Sequence, residues 1–106
     1  MIKIKIADDF SETPGGRYIS EGPYSGEKFR KEILRPRYDE AKSTGKKIFI
    51  DLDDCYGYAT SFLEEAFGGL ARELGSKKIL DIIEFKSDDE PGLIQMVRDY
   101  VNEVKI

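Results

Sequence analysis

The sequence predicts an α/β domain with a mixed sheet of about four strands and about three helices, in the order β-β-α-β-α-β-α. Three observations carry that expectation. First, Ile48, Phe49, Ile50 and Leu52 form a short apolar run rich in β-branched and aromatic residues. After a loop, apolar residues recur at helical spacing: Phe62, Leu63, Ala66, Phe67, Leu70, Ala71 and Leu74. Second, Lys77 to Phe85 (KKILDIIEF) is another β-rich run, which completes a β-α-β unit. Third, Ile2, Ile4 and Ile6 alternate with Lys3 and Lys5, the period of a strand with one apolar and one wet face.

Taken in order, the first strand suits a sheet edge, where lysines discourage pairing with another chain. Pro14-Gly15-Gly16 is a turn signal, and Arg17 to Ser20 is expected to return as a short second strand. Gly22-Pro23 ends it. Ser25 can cap a helix with apolar positions at Phe29, Ile33 and Leu34, resumed at Tyr38 and Ala41. Pro36 predicts a kink or a division into two pieces, and Gly45 an end. The run from Ile48 to Leu52 reads as a central strand covered on both faces. In the following helix Glu64, Glu65 and Arg72 are expected to be wet, and Gly75 closes it. A right-handed crossover fixes the side of the sheet on which that helix lies. Ser87 to Glu90 resembles a capping box and Pro91 fits a first turn. Leu93, Ile94, Val97, Tyr100, Val101 and Val104 make one face of a terminal helix.

With 106 residues, 40% of them hydrophobic, the chain is long enough for one core and is read as a single domain over 1–106. A net charge of −4 disfavours nucleic acid or anionic lipid as a partner. No membrane-spanning run and no signal-peptide pattern is present, so the expected location is cytoplasmic. One cysteine, Cys55, excludes an internal disulfide. The absence of histidine removes the usual zinc sets and every His-based catalytic arrangement, so no enzyme activity and no cofactor are expected.

The most specific stretch is the apolar strand ending in Asp51-Leu52-Asp53, a loop containing Gly57, and then Ser61-Phe62-Leu63-Glu64-Glu65-Ala66-Phe67-Gly68-Gly69-Leu70. This order resembles the STAS-like domain family of unknown function, a prokaryotic relative of the anti-sigma factor antagonists. The resemblance implies a STAS-like fold and a regulatory, protein-binding role in signalling. It also implies a phosphorylatable serine at the loop and helix start, controlling binding to an ATP-using serine kinase. Ser61 matches that position, with Thr60 beside it. The implied partner is a histidine-kinase-type ATPase or an anti-sigma-factor-like kinase.

Each candidate residue also has a plainer reading. Thr60 and Ser61 sit where a hydroxyl caps a helix, while the first-turn N–H groups there favour an added phosphate and Glu64 and Glu65 oppose it. Asp51, Asp53 and Asp54 at a strand end could hold Mg²⁺ in a phosphoacceptor or enzyme, or simply line a solvated loop. Gly68 and Gly69 inside a helix cost roughly 1 kcal/mol each relative to alanine. Their stripe, which begins at Ser61, admits either a partner or a neighbouring element of the same chain. Tyr56 and Tyr58 flank Gly57 as packing lids or binding anchors. Gly15-Gly16-Arg17 lacks the lysine and hydroxyl of a phosphate loop and reads as a turn. Cys55 stands among acidic neighbours, which raise a thiol pKa. A structural homodimer is the remaining alternative.

Overall fold

A computed structural model describes residues 1–106. Strands β1 (Ile2–Lys5), β2 (Ile48–Asp51) and β3 (Ile83–Lys86) form a parallel sheet in the order β1-β2-β3. Ile4 stands beside Ile50 and Ile50 beside Phe85. Four helices accompany them: α1 (Ile6–Asp9), α2 over residues 26–44, α3 over residues 60–74 and α4 (Gly92–Asn102).

The sheet has three strands rather than four, and it is parallel rather than mixed. Arg17 to Ser20 does not return as a strand. Tyr18 caps a 3₁₀ turn, Ile19–Glu21, because the Glu21 carboxylate accepts the N–H groups of Arg17 (2.7 Å) and Tyr18 (2.8 Å). Local bonds of this kind take up the donors that a strand ladder would need. The apolar run after α3 is likewise divided. Ser76 Oγ accepts the Lys78 N–H at 3.1 Å and starts a 3₁₀ helix, Lys77–Asp81, so pairing begins only at Ile83.

The expected cover on both faces of β2 is also corrected. Ile4, Ile48, Ile50 and Ile83 are buried on one face, whereas Lys3, Phe49 and Glu84 line up across the other and are not. Two right-handed crossovers that advance in the same direction leave both connecting helices on one side.

Helix α2 runs through Pro36 without a break: Leu34 (φ −66, ψ −49) and Arg35 (φ −63, ψ −46) keep helical dihedrals. A π-helical segment, Arg30–Leu34, immediately precedes the proline. Proline lacks an N–H and crowds the carbonyl four residues earlier, and a widened turn relieves both problems. Ser25 caps α2 as expected, its Oγ accepting the Lys28 N–H at 3.1 Å. Gly45 (φ 67) and Gly75 (φ 63) end α2 and α3 in left-handed geometry. The residues from Ser87 do not form a capping box, since Ser87 Oγ donates to the Glu90 carbonyl at 2.6 Å and Pro91 is itself the cap of α4.

The predicted apolar positions meet in one cluster of 21 buried residues, among them Phe29, Leu34, Phe62, Leu63, Phe67, Leu70, Val97 and Val101. Gly26 brings α2 against α3. A Cβ there would lie 2.5 Å from the Phe62 carbonyl oxygen and 3.2 Å from the Ala66 nitrogen.

Candidate functional site

The loop between β2 and α3 lies at the carboxyl end of the sheet, where ligands of open parallel sheets gather. Asp53 is buried. Its carboxylate accepts the Asp89 N–H at 2.9 Å and pairs with Lys86, and these two contacts, in that order, hold it below the usual carboxylate range. Asp51 accepts the Asp53 N–H at 2.9 Å. Asp54 adopts φ 68, a left-handed conformation that aspartate tolerates. Its N–H donates to Asp89 at 2.9 Å and its carboxylate meets Lys5 Nζ at 2.6 Å. That hydrogen bond is the main cause that raises the Lys5 pKa. Asp53 and Asp54 therefore tie the end of β2 to those of β3 and β1, while Asp51 shapes the turn between them. No group of three acidic or thiol side chains converges as a metal site, and Asp53 and Asp54 are each paired with a lysine.

Beyond Asp54 the loop is pinned at both flanks. The Tyr58 hydroxyl donates to the Leu52 carbonyl at 2.8 Å and lies 3.1 Å from Cys55 Sγ, and burial pushes its pKa up. Cys55 Sγ donates to the Ser11 carbonyl at 3.5 Å, and burial, more than the acidic neighbours, raises its thiol pKa. Between these anchors the Tyr56 N–H donates to the Glu12 carbonyl at 2.8 Å, while its ring is 84% exposed. Gly57 stands in open space. A cavity of about 190 Å³ lies behind Tyr58, against Leu52, Ser87, Glu90 and Leu93. That is smaller than the roughly 300–1,000 Å³ usual for small-molecule sites.

Thr60 and Ser61 are not caps. Ala59 holds the cap position without a side-chain acceptor, which places Thr60 and Ser61 at the first two helical positions. Thr60 is exposed and Ser61 half-exposed. The expected wet face of α3 is corrected in part: Glu65 is buried and Glu64 half-buried, while Arg72 is exposed as expected. Arg30, buried in α2, pairs with Glu65 and also donates to the Glu65 carbonyl at 2.9 Å. Arg17 pairs with Glu64, which Arg72 also grips at 2.5 Å. Contact with Arg72 first, and then Arg17, holds Glu64 below the usual carboxylate range. Glu73 continues the network to Arg35 at 2.6 Å, and Arg35 reaches Asp39 at 3.0 Å.

This network explains the two helical glycines. A Cβ on Gly68 would meet Glu64 Oε2 at 2.6 Å, and one on Gly69 would meet Arg30 Nη1 at 2.5 Å. Both glycines are buried, so the stripe from Ser61 is occupied by the chain's own ion pairs and is not open to a partner.

The sequence reading missed the strap formed by residues 11–24, which crosses the start of α2. Its Gly16 and Arg17 carbonyls accept the N–H groups of Gly26 and Glu27, both at 3.0 Å. Tyr18, Ile19 and Tyr24 on the strap, together with Tyr56, are the large apolar side chains left exposed away from Met1 and Ile106. The bond from Tyr56 to Glu12 joins strap and loop. An aromatic pattern unmatched by any core period was the available signal.

No helix is long and apolar enough to cross a membrane. No curated protein and no solved structure matches the chain. A family model does match, over residues 25–93, from the cap of α2 to the first buried residue of α4. The chain belongs to the family described as STAS-like domain of unknown function (DUF4325).

Proposed function

We propose that this domain is a regulatory protein-binding module, placed in the cytoplasm, with no catalytic activity of its own. A protein partner docks on the loop carrying Asp53, Asp54, Tyr56, Gly57 and Tyr58. The observation that carries this reading is Tyr56, a residue 84% exposed on a loop whose backbone is held at Glu12 and whose neighbour Tyr58 is anchored at Leu52. An aromatic side chain on a held backbone loses less entropy when it is covered than one on a free loop, and buried aromatic residues dominate binding energy. Tyr18, Ile19 and Tyr24 are further exposed apolar side chains, on the strap that Glu12 joins to this loop, and the cavity at the loop itself is small.

Membership in a STAS-like family makes an ATP-using serine kinase with a histidine-kinase-type ATPase domain the proposed partner, and Ser61, or Thr60, the residue that it modifies. The concern that Glu64 and Glu65 would repel a phosphate there is reduced, because arginines already neutralise both. A phosphate adds about −1.5 to −2 charges beside the docking loop and weakens binding.

The test is a pull-down of the kinase with the wild-type chain, Tyr56→Ala and Ser61→Asp as baits, with melting temperatures measured in parallel. Tyr56→Ala should lose at least about tenfold in affinity, the equivalent of 1.4 kcal/mol, at unchanged stability. Undiminished retention by both variants refutes the proposed surface.

A further inference from the structure

We infer that Arg17 is a releasable hook, which holds the strap of residues 11–24 on α3 and is captured by a phosphoryl group on Ser61. The inference rests on the reading of Ser61 given above, and it names how a phosphate there acts on the docking surface.

Three observations carry it. The strap is held with little apolar burial: between residues 11 and 24 only Pro14 is buried. What fastens it is mostly polar: main-chain bonds to the start of α2, the Ile19 N–H on the Glu27 carboxylate at 2.9 Å, the bonds from Tyr56 and Cys55 to the Glu12 and Ser11 carbonyls, and, as its one tie to the side chains of α3, the Arg17 pairs with Glu64 and, at 3.4 Å, with Glu65. Of the four arginines in the network, Arg30 and Arg35 stand on α2 and Arg72 on α3, and Arg17 alone stands outside a helix. It is the guanidinium free to move without disturbing a helix.

Its departure also leaves no carboxylate stranded. Glu64 keeps Arg72 at 2.5 Å and Glu65 keeps Arg30. An uncompensated buried charge is the main penalty for breaking such a pair, and here that penalty is absent.

Ser61 is three residues before Glu64 on the same helix, and residues at that spacing are neighbours, about 5–6 Å apart at Cβ. A phosphoserine presents a dianion with the geometry that a guanidinium grips through two parallel bonds. It therefore competes with the Glu64 carboxylate for Arg17. When Arg17 turns toward it, the strap loses its side-chain tie to α3 beside the exposed Tyr18 and Ile19, and only its main-chain bonds to α2 and the loop still hold it. Phosphorylation on this account changes the shape of the docking surface as well as its charge.

The test needs no partner. Phosphoserine is incorporated at position 61 of the full chain, and its second ionisation is followed by phosphorus NMR, with and without Arg17→Gln. The ordinary midpoint is about 6. An adjacent arginine lowers an acid's midpoint, so the wild-type background should titrate roughly half a unit or more below the Arg17→Gln background. Arg17→Lys keeps the charge without the paired donors and should fall between; it also serves if Arg17→Gln does not fold. Equal midpoints in all backgrounds overturn the inference and leave the proposed partner binding untouched. A midpoint that depends on Arg17, with kinase binding indifferent to the phosphate, supports the hook and removes the proposed function.

Discussion

Alanine at Gly26 and at Gly92 should move stability in opposite directions, although each glycine opens a helix. At Gly26 the new Cβ would lie 2.5 Å from the Phe62 carbonyl oxygen and 3.2 Å from the Ala66 nitrogen. Both are backbone atoms inside α3, so the helix as a whole must shift. Overpacking of that kind costs about 1–3 kcal/mol, and backbone obstacles place it high in that range. Replacing glycine where alanine can adopt the same backbone returns about 0.4–1 kcal/mol, chiefly by restricting the unfolded chain. The net loss is then about 1–2.5 kcal/mol. With an unfolding entropy of about 2.1 cal/mol/K per residue, a chain of 106 residues gains roughly 0.22 kcal/mol per kelvin near its midpoint. Each kcal/mol thus moves Tm by about 4–5 °C, and Gly26→Ala should lower it by roughly 5–12 °C. At Gly92 a Cβ meets nothing within 4 Å, so the gain from restricting the unfolded chain stands alone, and Tm should rise by about 2–5 °C. Differential scanning calorimetry of the two variants decides the matter. Equal shifts of the same sign would show that α2 does not approach α3 through Gly26.

Phe67→Ala empties a fully buried site against Phe29 and Phe85 and should cost about 3–5 kcal/mol in urea unfolding; a loss below about 1 kcal/mol would mean that α3 packs by another face. Ser25→Ala removes a buried cap and should cost about 0.5–2 kcal/mol, with Ser25→Gly recovering most of it, measured the same way. Asp53 and Glu64 have folded-state pKa values below their unfolded ones, so their stabilisation is complete above about pH 5 and is lost progressively as pH falls through the unfolded and then the depressed folded values. Tm should be level from about pH 7 to 5 and drop below about pH 4, and a chain more stable at pH 3 than at pH 6 would contradict the ion pairs drawn here.

Elements that bury an apolar stripe were legible in the sequence. The spacing of Phe62, Leu63, Ala66, Phe67 and Leu70 corresponds to α3, and Leu93, Val97 and Val101 to α4, because a helix on a sheet must hide such a face. Glycine ends at 45 and 75 were legible for a local reason, since each takes positive φ. The failures have a common cause. Arg17 to Ser20 and Lys77 to Asp81 have strand-like composition, but Glu21 and Ser76 take up the local N–H groups, and a window of composition does not register that competition. The buried ion pairs were invisible because their partners are 35 to 48 residues apart, and without Arg17 and Arg30 the glycines at 68 and 69 looked like an empty surface. At the site, Tyr56 was identifiable as a candidate while the strap beside it was not, because the strap contributes almost nothing to the core that periodicity reports.

The π-helical segments Arg30–Leu34 and Glu64–Gly68 carry a consequence for chain length. A bond from residue i to i+5 encloses one residue more than the α-helical bond, so each segment stores a single extra residue between two ordinary helical stretches. Relatives one residue shorter within either segment could retain the flanking turns in register, as an uninterrupted α-helix. Arg30 and Glu65 lie within these two segments and meet each other across the helix interface, so restoring an ordinary turn in either would rotate one partner away from the other. Lineages of this family that lack one residue at these places should therefore lack the buried ion pair as well, and should carry alanine or a larger side chain where Gly69 now makes room for it.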